Sequence, residues 1–205
     1  MSDCGCEIEI ESKEEGRVLV LLLSINAIMF MVEITLGIIS ESTALIADSL
    51  DMLADATVYG IGLYAVGKEI FVKIKAAYIS GVLQIILGIT VIFDIVRRAI
   101  SGSEPESLLM VSIGIVALTA NIICLRLISK HRDGEVHMRA SWIFSKNDVI
   151  ANLGIILGGV LVYLVDSRFP DLVIGLAISV IVIRGGIHIM RDAGNEKHIQ
   201  SAKTA

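Results

Sequence analysis

The sequence predicts an all-α, polytopic membrane protein: a bundle of six transmembrane helices. Three observations carry this. The 205 residues are 55% hydrophobic, and the mean hydropathy is +0.79, a balance that soluble domains of this length rarely reach. The apolar residues fall in runs of about 20, the length a helix needs to cross the hydrocarbon layer. The only prolines, Pro105 and Pro170, both lie between runs. Backbone groups cannot stay unpaired in lipid, so runs of this kind are helical.

The predicted spans are Val18–Ile39, Ala44–Val66, Ala76–Val96, Leu108–Leu127, Ser141–Val165 and Leu172–Met190. They form one transmembrane domain, residues 18–190. It is flanked by an acidic N-terminal tail (1–17) with a Cys-x-Cys pair and by a short polar tail (191–205). The N-terminal stretch is acidic, with no small-residue cleavage site after the first apolar run, so it does not read as a secretory signal. Fourteen of the 17 basic residues flank one side of this topology, and Arg97, Arg98 and Arg168 flank the other. That asymmetry places both termini in the cytoplasm. The location it predicts is the cell (inner) membrane of a bacterium or archaeon. Arg184 sits near the cytoplasmic end of the last span, where it snorkels.

Ionisable groups inside spans are costly, and their default reading is functional. Span two reads ALIADSLDMLADATVYG and carries Asp48, Asp51 and Asp55. Offsets of three and four residues put these carboxylates on one helix face. Like charges on one stripe repel, so protons, a basic partner or a bound cation must neutralise them. At about 1.5 Å per residue, Asp51 and Asp55 lie roughly 10 and 16 Å into the span. Span five reads WIFSKNDVIANLGIILGG and carries Asn147, Asp148 and Asn152. Asp148 and Asn152 share a face. Facing oxygens from two helices make a hard-ligand site for a divalent cation that protonation would empty. Asp51, Asp55, Asp148, Asn147 and Asn152 are thus the candidate metal ligands, with Asp48 accessory.

Other polar groups read differently. Cys4 and Cys6 offer two thiolates, half of a tetrahedral soft-metal site, and are kept as accessory candidates. Asn26, Glu33 and Asp94 read as groups that join helices. Gly81, Gly88, Gly154, Gly158 and Gly159 read as positions of close helix packing. His131, His137, His188 and His198 read as exposed or interfacial. There is no nucleotide-binding loop and no nucleophile–base pair, so an enzyme is not expected; nor is a nucleic-acid partner or a permanently bound cofactor.

The stretch STALIADSLDMLAD (Ser42–Asp55) resembles the second-helix motif of the cation diffusion facilitator family. Glu33 in span one and Arg139–Gly154 in span five resemble it too, and the resemblance covers about Val18 to Met190. It implies a proton-coupled antiporter that exports zinc or a related divalent ion (cadmium, cobalt, manganese, iron, nickel) from the cytoplasm. It also implies a homodimer. The family's transport site takes two residues four apart from the second helix and two from the fifth. Carried over, these fall on Asp51, Asp55 and Asp148, while the position that is often histidine in zinc members falls on Phe144. Asn147, Asn152 or water would then supply the missing oxygen. Most members also carry a soluble C-terminal metal-binding domain, and only about fifteen residues follow Met190 here. The sequence therefore reads as a membrane-domain-only branch that dimerises through its helices. Two other readings are open at this point: a non-transporting metal sensor or partner subunit, and a passive cation channel.

Overall fold

A computed structural model describes residues 4–39, 43–102, 107–167 and 169–204. Six α-helices account for nearly all of them: α1 (Cys4–Ile39), α2 (Thr43–Ala65), α3 (Ile70–Ser101), α4 (Ser107–Ile128), α5 (Val136–Val165) and α6 (Phe169–Thr204). A short 3-10 turn, Ser129–His131, links α4 to α5.

The helices begin and end for local reasons. Asp166 closes α5 in the left-handed conformation (φ 50°), its N–H donating to the Val162 carbonyl at 2.9 Å. Gly102 follows α3 at φ 85°, where a residue without a Cβ is at ease. Two helices run well past their apolar cores. At about 1.5 Å per residue, the 36-residue α1 and α6 each reach about 54 Å, against roughly 30 Å of hydrocarbon. The two segments read from sequence as tails are therefore helical extensions wherever they are described. Cys4 and Cys6 lie in the first turn of α1; their side chains, like that of Asp48 in α2, are outside the described residues.

Helices α1, α3, α4, α5 and α6 each contain a stretch long and apolar enough to cross a membrane, of which only 22 to 33% is buried within the protein. Large apolar side chains such as Phe93, Leu108 and Tyr163 point outward. An outer surface of this kind is at home in lipid, and the chain is an integral membrane protein. α2 is long enough at 23 residues, but every 18-residue stretch of it holds Asp48, Asp51 and Asp55.

The helices pack chiefly as three neighbouring pairs, α1 on α2, α3 on α6 and α4 on α5, with α5 also against α6. One core cluster joins Leu19 and Leu22 of α1, Tyr59 of α2, Cys124 and Ile128 of α4, and Met138 of α5. A second joins Ile74 and Ala77 of α3, Val136 and Ala140 of α5, and Ile189 and Ala193 of α6. The α3–α6 contact is the tightest by backbone: a Cβ built on Gly186 would lie 2.7 Å from the Gly81 carbonyl oxygen. Gly154 sits equally close against Ile178. Small residues at such crossings let helix backbones approach in a membrane, where apolar burial offers little drive.

Polar contacts add to this frame. Asn26 donates to the Leu22 carbonyl at 3.0 Å and approaches Cys124 Sγ at 3.5 Å, joining α1 to α4. Arg139 Nε donates to Asp192 Oδ2 at 2.7 Å, with Glu196 at 3.6 Å, joining α5 to α6. Asp94 is held within α3 by Arg97 at 2.5 Å and Arg98 at 2.6 Å. Its pairing is thus within one helix rather than between helices as expected.

Candidate metal-ion site

A cavity of about 270 Å³ opens between α2, α3, α4, α5 and α6. α2 contributes Asp51 and Asp55 to its lining, and α5 contributes Phe144, Asp148 and Asn152. The four-residue spacings on both helices turn each set toward the same space, as helical geometry requires. Asp55 is 4% exposed, whereas Asp51 is exposed, so the α2 pair runs from an accessible to a buried position. The Asp148 carboxyl lies within hydrogen-bonding reach of Asp55 and within electrostatic range of Asp51. Its Oδ2 is buried without a hydrogen-bond partner. Asn152 Nδ2 donates to the Asp148 carbonyl at 3.0 Å, which leaves its carbonyl oxygen available to the cavity.

Asn147 is brought elsewhere. It is buried but does not line the cavity; its Nδ2 occupies the space over Gly185 of α6, 1.9 Å from where a Cβ would stand. Phe144 does line the cavity, 2% exposed, one turn before Asp148.

Two residues with no assigned role in the sequence reading also face this space: Gln84 of α3, 1% exposed, and Asn121 of α4, 3% exposed. Gln84 Oε1 and Asn121 Oδ1 are buried with no hydrogen-bond partner. Buried carbonyl oxygens are seldom left so. The signal in the sequence was the one used for the aspartates, a polar group inside an apolar run, but a single neutral amide is cheap enough in a membrane to pass as helix packing. At the far end the cavity is lined by Asp94 and Arg98 of α3 and Asp171 of α6, with Arg98 3.7 Å from Asp171.

Away from the Asp94–Arg98–Asp171 end, the arrangement presents three carboxylates and up to three amide oxygens around one volume within the bundle. Oxygens of this kind suit a divalent cation, and carboxylates that repel one another also hold protons when no cation is present.

The chain matches the cation efflux transmembrane domain over residues 19–69 and 71–196, and it belongs to that family. Among curated relatives, it is 25% identical over 191 residues to the cadmium, cobalt and zinc/H(+)-K(+) antiporter of Bacillus velezensis, covering 85% of this chain and 61% of that protein. It is 23% identical over 196 residues to the zinc transporter ZitB of Escherichia coli, covering 88% and 62%. It is 23% identical over 179 residues to the metal cation efflux system protein CzcD of Cupriavidus metallidurans, covering 82% and 57%. The chain thus spans about three fifths of the length of these relatives.

Proposed function

We propose that this chain is the membrane domain of a secondary transporter that exports divalent transition-metal ions, zinc or its relatives cadmium and cobalt, in exchange for protons. The observation that carries the reading is the convergence of Asp51, Asp55 and Asp148 from two helices on one cavity. The names of the relatives agree with it. In this reading all six helices cross the membrane. α2 does so because a cation or protons neutralise its carboxylates. Both termini are cytoplasmic, the membrane is the inner membrane of a bacterium or archaeon, and the working unit is a homodimer formed through the helices.

The ion enters from the cytoplasmic side and is held by the three carboxylates, with Asn152, Gln84 and Asn121 supplying neutral oxygens. Phe144 stands where an imidazole would otherwise reach the ion and leaves the set all-oxygen. Entry displaces protons from the carboxylates, and protons returning from outside displace the ion. Arg98, bridging Asp94 and Asp171, lies at the exit.

The test is metal uptake into sealed inverted vesicles. An antiporter accumulates zinc in proportion to an imposed proton gradient and stops with a protonophore. Uptake that follows voltage and ignores the proton gradient would make the chain a channel, and binding without uptake a sensor.

A further inference from the structure

Away from this cavity, near the start of α5, Glu15 of α1, Glu135 and His137 come together. His137 contradicts the sequence expectation of an exposed histidine. It lies in the first turn of α5 rather than in a loop, and is 1% exposed. Glu15, expected in a solvated tail, is 2% exposed. The ring of His137 lies between two carboxylates: Nε2 is 3.8 Å from Glu15 Oε2 and Nδ1 is 3.9 Å from Glu135 Oε2. Both separations are too long for hydrogen bonds, and neither ring nitrogen has a hydrogen-bond partner. A buried imidazole left in this way is uncommon and costly. Lys73 of α3 holds Glu135 at 2.5 Å.

The geometry points to a second divalent-metal site here, taking a zinc-like ion through one ring nitrogen of His137, Glu15 and Glu135. One ligand atom from each residue lies within 4.8 Å of the others. Ligands sharing one tetrahedral zinc at about 2.0–2.1 Å sit roughly 3.4 Å apart, so side-chain shifts of about 1 Å close the site. One imidazole with two carboxylates suits zinc and its borderline neighbours better than magnesium or calcium, which favour all-oxygen shells. The site is separate from the cavity: His137 precedes Asp148 by eleven residues on α5, about 16 Å along the axis. Lys73 competes with the cation for Glu135. Binding there links α1 to α5 and loosens the hold of α3 on Glu135.

The inference does not rest on the transport reading, and its test keeps the two apart. Zinc binding is measured by equilibrium dialysis on the full chain in detergent, with Asp51, Asp55 and Asp148 all replaced by alanine. One zinc per chain is expected to remain. Adding His137→Gln should weaken it by more than the roughly 10–100-fold that loss of an outer partner costs a metal site. In the otherwise unaltered chain, Lys73→Gln should tighten zinc at this site by about tenfold, because the cation that competes for Glu135 is gone; misfolding does not produce such a gain. Cobalt bound in place of zinc should show visible absorption bands that move on Glu15→Gln. No zinc left in the triple alanine chain, or an affinity unmoved by both His137→Gln and Lys73→Gln, overturns the site. Either result leaves the proton-driven transport test to be judged separately.

Discussion

Asp51, Asp55 and Asp148 stand out in the sequence because charge is so rarely placed within apolar runs, and the structure gathers the three around one cavity. Gln84 and Asn121 escaped notice because a lone neutral amide in a span has an ordinary packing explanation. The sequence does not mark His137 as buried, because the basic, polar stretch before span five hides a helix start at Val136. Asn147 reads from the sequence as a candidate oxygen ligand, yet adjacent helical residues face about 100° apart, and it turns toward Gly185. Two predictions belong at this scale. Asp51→Ala, Asp55→Ala and Asp148→Ala should each abolish vesicle metal uptake while the protein still inserts, whereas Asp94→Ala, whose partners lie on its own helix, should slow uptake only mildly. Normal transport by both α2 variants would remove the proposed site. Phe144→His places an imidazole one turn before Asp148 in the cavity lining. An oxygen-only set discriminates less in favour of zinc than one with nitrogen, so this variant should raise the zinc-to-manganese transport ratio measured by competition in the same vesicles. An unchanged ratio in an active variant would mean that Phe144 does not face the ion.

At the scale of helices, periodicity placed all six elements, with the apolar boundaries near where lipid would end. It could not show how far α1, α3 and α6 continue, because polar helix extensions stand on tertiary partners rather than on an apolar face. The Arg139–Asp192 and Lys73–Glu135 pairs supply such partners to α6 and α3. Gly81, Gly88 and Gly154 were legible as packing positions, and the structure sets each against a neighbouring helix within 3.0 Å of a built Cβ; Gly158 has only ordinary contacts at 3.6 Å and beyond. The α3–α6 crossing leads to a prediction. A side chain on Gly186 would meet the Gly81 carbonyl and Ile85, both 2.7 Å from its Cβ. Backbone cannot yield as a flexible side-chain tip can, so Gly186→Val should cost about 1–3 kcal/mol, the usual range for overpacking. It should lower the Tm in detergent. Gly194→Ala, with nothing within 4 Å, should not lower the Tm and should raise it slightly, because alanine is the better helix former by about 1 kcal/mol.

For the whole molecule, orientation decides which end of the cavity faces the cytoplasm. The basic residues are divided 14 to 3 between the two sides of the proposed topology, and positively charged flanks are retained on the cytoplasmic side. In the proposed topology both of the long helical extensions, at the start of α1 and the end of α6, lie in the cytoplasm, together with the Glu15–Glu135–His137 cluster. Ser101, at the end of α3, lies on the opposite side, near the Arg98 end of the cavity. Labelling can read this directly. In a chain with Cys4, Cys6 and Cys124 replaced by serine, Ser101→Cys should react with a membrane-impermeant maleimide in intact cells. Thr204→Cys should react only after the membrane is permeabilised. The two positions control for each other, since a chain that fails to insert would label at both or at neither. Labelling of Thr204→Cys from outside, with Ser101→Cys protected, would invert the bundle. The Arg98 end of the cavity would then face the cytoplasm and become its entrance, while an inward proton gradient would still exchange protons for outgoing metal.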